Sequence, residues 1–388
     1  MTPSGPSAKP RVAVLFGGRS SEHAISCVTA ASVLAAVDRA RYDVVPVGIT
    51  RGGQWVLVDD DPERLRIVDG KLPEVPAAGE RVALAQDVEA RALHRLDAPA
   101  ARATPADLAV DVVFPLLHGP YGEDGTLQGL LEMSGTRYVG SGVLASAAGM
   151  DKQAMKTMLA GAGLSVGPWW WGTARRWETD REACRAEVAA LGLPVFVKPA
   201  RAGSSIGISR VDEPGQLDAA VAAALEHDPK FLVEARVAGR EVEVGVLQEP
   251  DGTVSASLPG EVEVVDGRAF YDFEAKYLDA AAVRISCPAD LPAHVTDAVR
   301  RTAVEVFAAM GAEGLARVDL FVDVDPDGDP DGDGGGGAAR VVVNEINTMP
   351  GFTPTSMFPQ LWAASGVSYE ELVDRLLQQA LHRPAGLR

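Results

Sequence analysis

The stretch Val341-Val-Val-Asn-Glu-Ile-Asn-Thr-Met-Pro-Gly351 restricts this chain more than any other. Its β-branched opening reads as a strand. Glu345 and Asn347 stand two residues apart, so a strand presents both on one face. The Pro-Gly pair then ends the strand and brings bare backbone N–H groups close to whatever binds there. Upstream, Ala316-Arg-Val-Asp-Leu-Phe-Val322 reads as a partner strand with Arg317 and Asp319 on one face. Pairing the two gathers two carboxylates, a carboxamide oxygen and a guanidinium, and oxygen donors of this kind suit Mg²⁺ held jointly with substrate phosphates. A polar outer face on a half-exposed hairpin is the commoner fate of such residues, so the hairpin alone decides nothing.

Bulk properties narrow the field. A chain of 388 residues can bury large cores and divides into two or three domains. No apolar run approaches the roughly 20 residues of a membrane helix, and the Pro/Ser-rich start lacks a signal-peptide core. The three cysteines, Cys27, Cys184 and Cys287, are scattered and odd in number, which fits a reducing cytoplasm rather than a disulfide framework. Cys27 reads as buried apolar filler sooner than as a nucleophile. A formal net charge of −18 disfavours nucleic acid and anionic membrane as partners. An anionic small substrate would then need a locally positive pocket.

Arg11–Phe16 reads as a buried strand, followed by the turn Gly17-Gly-Arg-Ser-Ser and a helix through Val37 that Ser20 or Ser21 can cap. With Tyr42–Ile49 this is a βαβ opening of an open α/β sheet. The turn is not G-x-G-x-x-G, so a nicotinamide dehydrogenase has little support. Residues 59–107 read as loops and short elements. Ala109–Leu117 is another strand, running into His118-Gly-Pro-Tyr-Gly-Glu-Asp-Gly125, a strand-end loop of the kind that holds ligands. A helix follows Asp151-Lys152 to about Ala160; Pro168-Trp-Trp-Trp171 leads into a helix over Glu178–Leu191. Leu193–Ala200 is a strand that feeds Arg201-Ala-Gly-Ser-Ser-Ile-Gly207, and Lys230–Glu234 is the next strand. Alternation over Arg240–Val264 predicts an antiparallel sheet, and His294–Met310 a helix. Tyr271–Tyr277 has no clean period and reads as a loop over something. Residues 324–339, rich in Asp and Gly, read as a flexible insertion at a hairpin turn, since prolines and a missing closing Glu argue against a calcium loop.

Lys198 stands beside a glycine-serine loop whose N–H groups can wrap phosphates, and Lys152 can add a second positive charge. Each lysine taken singly is by default a surface residue; the conjunction with a distant acid pair is rarer. The Walker form G-x-x-x-x-G-K-[ST] is missing. Glu234 and Glu241 can accept from ribose hydroxyls, or can be solvated strand ends. Glu22 can serve the helix dipole as a capping carboxylate, or can hold a substrate ammonium.

Taken together, these segments resemble the ATP-grasp ligases, and among them the D-alanine–D-alanine ligase family. The resemblance runs from Val12 to about Leu377 on Gly17–Glu22, His118–Gly129, Asp151-Lys152, Val197–Gly207, Tyr271–Tyr277, Arg317–Asp319 and Asn344–Gly351 in order. It implies an α/β ATP-grasp fold: a tail at 1–10, an N-terminal open parallel, Rossmann-like α/β domain at 11–148, and two α+β subdomains at 149–234 and 235–388 that clasp ATP. It implies that ATP phosphorylates one D-alanine and that the amine of a second attacks the acyl phosphate. Lys152, Lys198, Ser205, Glu234 and Glu241 then serve ATP, and Asp319, Glu345 and Asn347 hold two Mg²⁺ or Mn²⁺ ions. Glu22, Ser204 and Tyr277 form a hydrogen-bonded set around the first substrate, near His118, while Arg317 and the Gly351 N–H stabilise the oxyanion. Lys276, Ser356 and Met357 face the second substrate. A cytoplasmic homodimer is further implied, and a monovalent cation is left open as an assistant. Tyr277, in its Glu-Ala-Lys-Tyr setting, favours an amine over D-lactate as the second substrate. A ligase making D-alanyl-D-lactate or D-alanyl-D-serine is the nearest rival, and a nucleotide-binding module without chemistry is the rival from another class.

Overall fold

The computed structural model describes residues 9–97, 108–203, 206–264, 283–324 and 339–384. Ser204, Ser205, Lys276, Tyr277, residues 1–8 and the insertion from 325 to 338 lie outside the described residues.

The first sheet is built from β1 (Arg11–Gly17), β2 (Asp43–Ile49) and β3 (Trp55–Leu57), and a separate ribbon of β4 (Val82–Leu84) and β5 (Leu93–Arg95) precedes its last two strands, β6 (Val112–Pro115) and β7 (Arg137–Tyr138). Its order is β3-β2-β1-β6-β7, parallel except at the β3 edge. The chain leaves β1 towards β2 and later returns to β6 on the other side of β1. The crevice between the carboxyl ends of β1 and β6 is therefore the switch point at which such sheets bind ligands. Gly17 turns there at φ +90°, and a Cβ would stand 2.4 Å from the Ile49 carbonyl oxygen, so only glycine fits.

The second sheet has β8 (Trp169–Thr173), β9 (Val195–Pro199), β10 (Ser209–Val211) and β11 (Lys230–Ala235), in the antiparallel order β10-β9-β11-β8. Here the tryptophan run is itself a strand, and two helices, Ala174–Thr179 and Arg181–Ala189, replace the single one expected. Aromatic residues favour strands, and Thr173 caps the first helix by accepting from Arg176 N–H. Strand β9 alternates strictly: Val195 and Val197 are buried in a core with Trp177, Val221 and Phe231, which turns Phe196 and Lys198 to the other face.

The third sheet holds β12 (Arg240–Gln248), β13 (Val254–Ala256), β14 (Gly260–Val264), β15 (Val283–Ser286), β16 (Leu315–Asp323) and β17 (Arg340–Asn347). Its order is β15-β14-β12-β16-β17, with β13 paired to β12. The helix Ala293–Ala309 covers one face through Val295, Val299, Ala303, Val306 and Phe307. In the β16–β17 hairpin Arg317 opposes Asn347 and Asp319 opposes Glu345, so all four side chains share the face away from that helix. The register shifts beyond Asp319, where Asn344 is the extra residue of a bulge.

Three joints hold these sheets together. The helix Lys152–Gly161, capped by Asp151 through Gln153 and Ala154 N–H at about 1 kcal/mol, leads to Val166, which bridges Val343 of β17. Lys152 N–H donates to the Ala200 carbonyl at the end of β9. The helix Tyr369–His382 crosses back to the first sheet, where Leu372, Val373, Leu376 and Leu377 share a core with Val12, Val14 and Phe16. Among the described residues no helix is long and apolar enough to cross a membrane.

Candidate active site

The three sheets meet around one cavity of about 1100 Å³. Every described site residue named from the sequence lines it: Glu22, His118, Lys152, Lys198, Glu234, Glu241, Arg317, Asp319, Glu345, Asn347, Gly351, Ser356 and Met357. These come from each of the three sheets and from the loops between them.

At the first sheet, Ser20 does not cap the helix. Its Oγ donates to the His118 carbonyl at 2.7 Å and accepts from Glu22 N–H at 3.2 Å, which ties the two strand-end loops together. The helix starts at His23 with Glu22 at its N-cap, and Glu22 makes no capping hydrogen bond. Its carboxylate is buried and turns towards Gly119 and Gly203 instead; a Cβ on Gly119 would come within 2.6 Å of Glu22 Oε2. His118 lies with Nε2 3.4 Å from Thr29 Oγ1 and hydrogen-bonds the Met349 backbone. Burial lowers its pKa and the Glu22 charge opposes that, so the ring is held neutral near pH 7. Glu123 of the same loop accepts from Gly119 N–H at 2.7 Å. Burial first, then the neighbouring Glu22, raises its pKa well above the carboxylate range.

Lysines form one wall. Lys152 Nζ donates to the Ala202 carbonyl at 2.8 Å, and burial lowers its pKa. Lys198 Nζ lies 2.5 Å from Glu234 Oε2. Burial disfavours its charge, yet Glu234, with Glu345 and Glu241 behind it, outweighs this and raises the pKa. Glu234 is no solvated strand end: it is buried, and its other oxygen lies 2.6 Å from Lys156 Nζ. Burial alone would raise its pKa, but Lys198 and Lys156 hold it at about 2. Glu241 is exposed at the start of β12.

Acids form the facing wall. Across β12, β16 and β17 run Glu243, Asp319 and Glu345 in one row. Arg317 donates from Nε and Nη2 to the two oxygens of Asp319, both at 2.7 Å, and its Nε lies 2.9 Å from Glu243 Oε2. These charges outweigh burial and hold the guanidinium pKa well above its ordinary value. Asn347 Nδ2 donates to Asp319 Oδ2 at 3.1 Å. Glu345 acts electrostatically on both Lys152 and Lys198, so the two walls face each other. Beyond them Ser356 Oγ accepts from Thr353 N–H at 3.1 Å, and Met357 packs beside Gly260.

Among the described residues no three His, Cys, Asp or Glu side chains converge as a metal cage. Asp319, Glu345 and the Asn347 carboxamide nonetheless fit Mg²⁺, which keeps waters and takes only one or two carboxylates beside substrate phosphates.

A family described as D-ala D-ala ligase N-terminus matches residues 11–141, and one described as D-ala D-ala ligase C-terminus matches residues 158–378. The chain belongs to the D-alanine–D-alanine ligase family. A D-alanine–D-alanine ligase of Kineococcus radiotolerans is 68% identical over 98% of this chain and 99% of its own length. One of Arthrobacter sp. (strain FB24) is 56% identical over 98% and 96%. Among solved structures, the VanG D-Ala:D-Ser ligase of Enterococcus faecalis is 32% identical, with a TM-score of 0.78 over 96% of this chain and 99% of that one. The D-alanine-D-alanine ligase of Coxiella burnetii is 31% identical with a TM-score of 0.76, over 96% and 94%. The fold is accordingly the ATP-grasp ligase fold.

Lys156, Glu243 and Glu123 are charged lining residues that the sequence reading did not name for the site. The first two had a signal. Lys156 stands four residues beyond Lys152 on one helix face, and Glu243 two beyond Glu241 on one strand face.

Proposed function

We infer that this enzyme joins two D-alanine molecules with ATP, releasing ADP and phosphate, for peptidoglycan precursor synthesis. The observation that carries this reading is the single cavity in which a lysine wall faces an acid wall beside Glu22 and His118.

A carboxylate resists attack until one oxygen becomes a leaving group. In the proposed reaction a carboxylate oxygen of the first D-alanine takes the γ-phosphoryl group of ATP, and ADP leaves. The amine of the second D-alanine, having lost a proton, attacks the acyl carbon; the carbon–oxygen bond to phosphate then breaks and the amide remains. Glu22 is suited to the ammonium of the first substrate, because its carboxylate is buried beside Gly119 and Gly203 at the cavity rather than capping its helix. Lys152 and Lys198 are suited to ATP phosphates and Glu241 to ribose. Glu234 keeps its proposed place at ATP, and its ion pair also fixes Lys198. Asp319, Glu345 and Asn347 would hold the divalent ions, Mg²⁺ or Mn²⁺, which when bound offset charge on the phosphate oxygens. Arg317 and the Gly351 N–H would stabilise the oxyanion, a contribution of about 3 kcal/mol per donor. Ser356 and Met357 border the space for the second substrate, for which Lys276 is a further candidate; Ser204 and Tyr277 keep their proposed roles around the first substrate, and Ser205 its proposed role at ATP. A homodimer in the cytoplasm completes the proposal, and sedimentation tests the assembly.

ADP release with D-alanine set against L-alanine, with the product identified by mass, tests the reading. D-alanine-dependent turnover to the dipeptide is expected; none would overturn it. The likeness to a D-Ala:D-Ser ligase supports a second reading, in which D-serine is the second substrate. Offering D-serine beside D-alanine decides between them, and D-alanyl-D-alanine is the expected main product.

A further inference from the structure

Lys156 is only 3% exposed, a burial unusual for a lysine. It stands one helical turn beyond Lys152, with its Nζ 2.6 Å from Glu234 Oε1, while Lys198 Nζ lies 2.5 Å from Oε2 of the same carboxylate. Its Nζ also reaches towards the Asn344 carbonyl at 3.5 Å, at the bulge beside Glu345. One ammonium thus spans the strand that carries Glu234 and the hairpin that carries the acids. An apolar side chain of similar length would fill this space without the desolvation cost of a buried ion, so packing alone does not account for a lysine here.

We propose that Lys156 is a positioning residue for nucleotide binding. It occupies one oxygen of Glu234, so that this carboxylate cannot close on Lys198 alone, and it leaves the wall with surplus positive charge. The proposal rests on the reading of Lys198 as a phosphate ligand. Lys152, Lys156 and Lys198 supply three positive charges against one negative charge on Glu234, a surplus of two (3 − 1); without Lys156 the surplus falls to one (2 − 1). In a chain of formal charge −18, that local surplus is what a polyanionic nucleotide meets. Holding Glu234 between two ammoniums also sets the direction in which Lys198 leaves β9.

The test is calorimetric titration of the full-length enzyme with a non-hydrolysable ATP analogue and Mg²⁺, beside steady-state kinetics. Lys156→Met is expected to weaken nucleotide binding about tenfold and to raise the KM for ATP, with the KM for D-alanine unchanged. Lys156→Arg should stay within about threefold of the parent, since it keeps the charge. The double variant Lys156→Met/Glu234→Gln restores the surplus of two and should bind more tightly than Lys156→Met alone. A merely structural lysine predicts the reverse: methionine is tolerated, and the second change adds to the damage. Parental nucleotide affinity in Lys156→Met, or no recovery in the double variant, overturns the proposal. If Lys156→Met does not fold, Lys156→Gln carries the same test, and unchanged affinity overturns the proposal equally. Lys198→Ala separates the two claims. Normal nucleotide binding in that variant removes the reading of Lys198 itself; weakened binding there, with Lys156→Met unaffected, removes only the role of Lys156.

Discussion

The two walls of the cavity carry opposite charge and are built in opposite ways. The acid wall is a backbone product: Glu243, Asp319 and Glu345 sit on adjacent strands, and the ladder register sets their spacing. The lysine wall joins Lys152 and Lys156 from a helix to Lys198 from β9, and charge pairing with Glu234 holds the latter two in place. Each wall contains one ion of the other sign, Arg317 among the acids and Glu234 among the lysines. The difference teaches that a ladder register sets the spacing of side chains before any charge pairing is made. Long lysine stems have more rotamer freedom to lose, and each is held by a partner here: Glu234 for Lys156 and Lys198, the Ala202 carbonyl for Lys152. The acid wall should therefore govern chemistry, and the lysine wall should govern nucleotide affinity and its pH dependence.

The largest expected effect breaks the acid wall. Asp319→Asn keeps shape and removes charge; it should lower kcat by about a thousandfold while nucleotide affinity, measured by titration, changes far less. A loss confined to affinity would erase the distinction between the walls. A smaller effect comes from pH. Burial lowers the Lys152 pKa, whereas Glu234 raises that of Lys198. As pH rises, Lys152 loses its proton first, below the ordinary lysine range, so nucleotide affinity should decline on the alkaline side while Lys198 is still charged. Lys152→Arg should flatten that limb, and a limb that persists in this variant would assign it to another group. The smallest effect concerns the hairpin end at which Asp323 pairs with Arg340, the opposite end of the ladder from Arg317 and Asn347. Deleting residues 326–337 should leave kcat and both KM values within about twofold. A large loss would mean that the acid wall depends on more than its register.

Apart from Glu243, the acid wall was legible because strand alternation is a two-residue rule: Arg317, Asp319, Glu345 and Asn347 needed only the pairing of two neighbouring strands. The βαβ opening, the helix after Asp151 and the helix Ala293–Ala309 were legible for the same local reasons. Glu234 was not, because its partners depend on β11 lying beside β9 and on the helix Lys152–Gly161 bringing Lys156 to it, which no spacing reveals. Ser20 reads as a cap from composition, yet the strand-end loop after β6 brings the His118 carbonyl to it, and tertiary contact overrides the local preference. The helix Tyr369–His382 shows amphipathic spacing in sequence, but not that its apolar face returns to the first sheet.

The central claim is that both walls act on one phosphoryl transfer to a D-alanine carboxylate. Turnover of D-alanine labelled with ¹⁸O in its carboxylate, followed by mass analysis of the released phosphate, tests it directly. The account predicts one ¹⁸O atom in each phosphate released, with ADP as the nucleotide product. Unlabelled phosphate, or AMP with pyrophosphate, would contradict it.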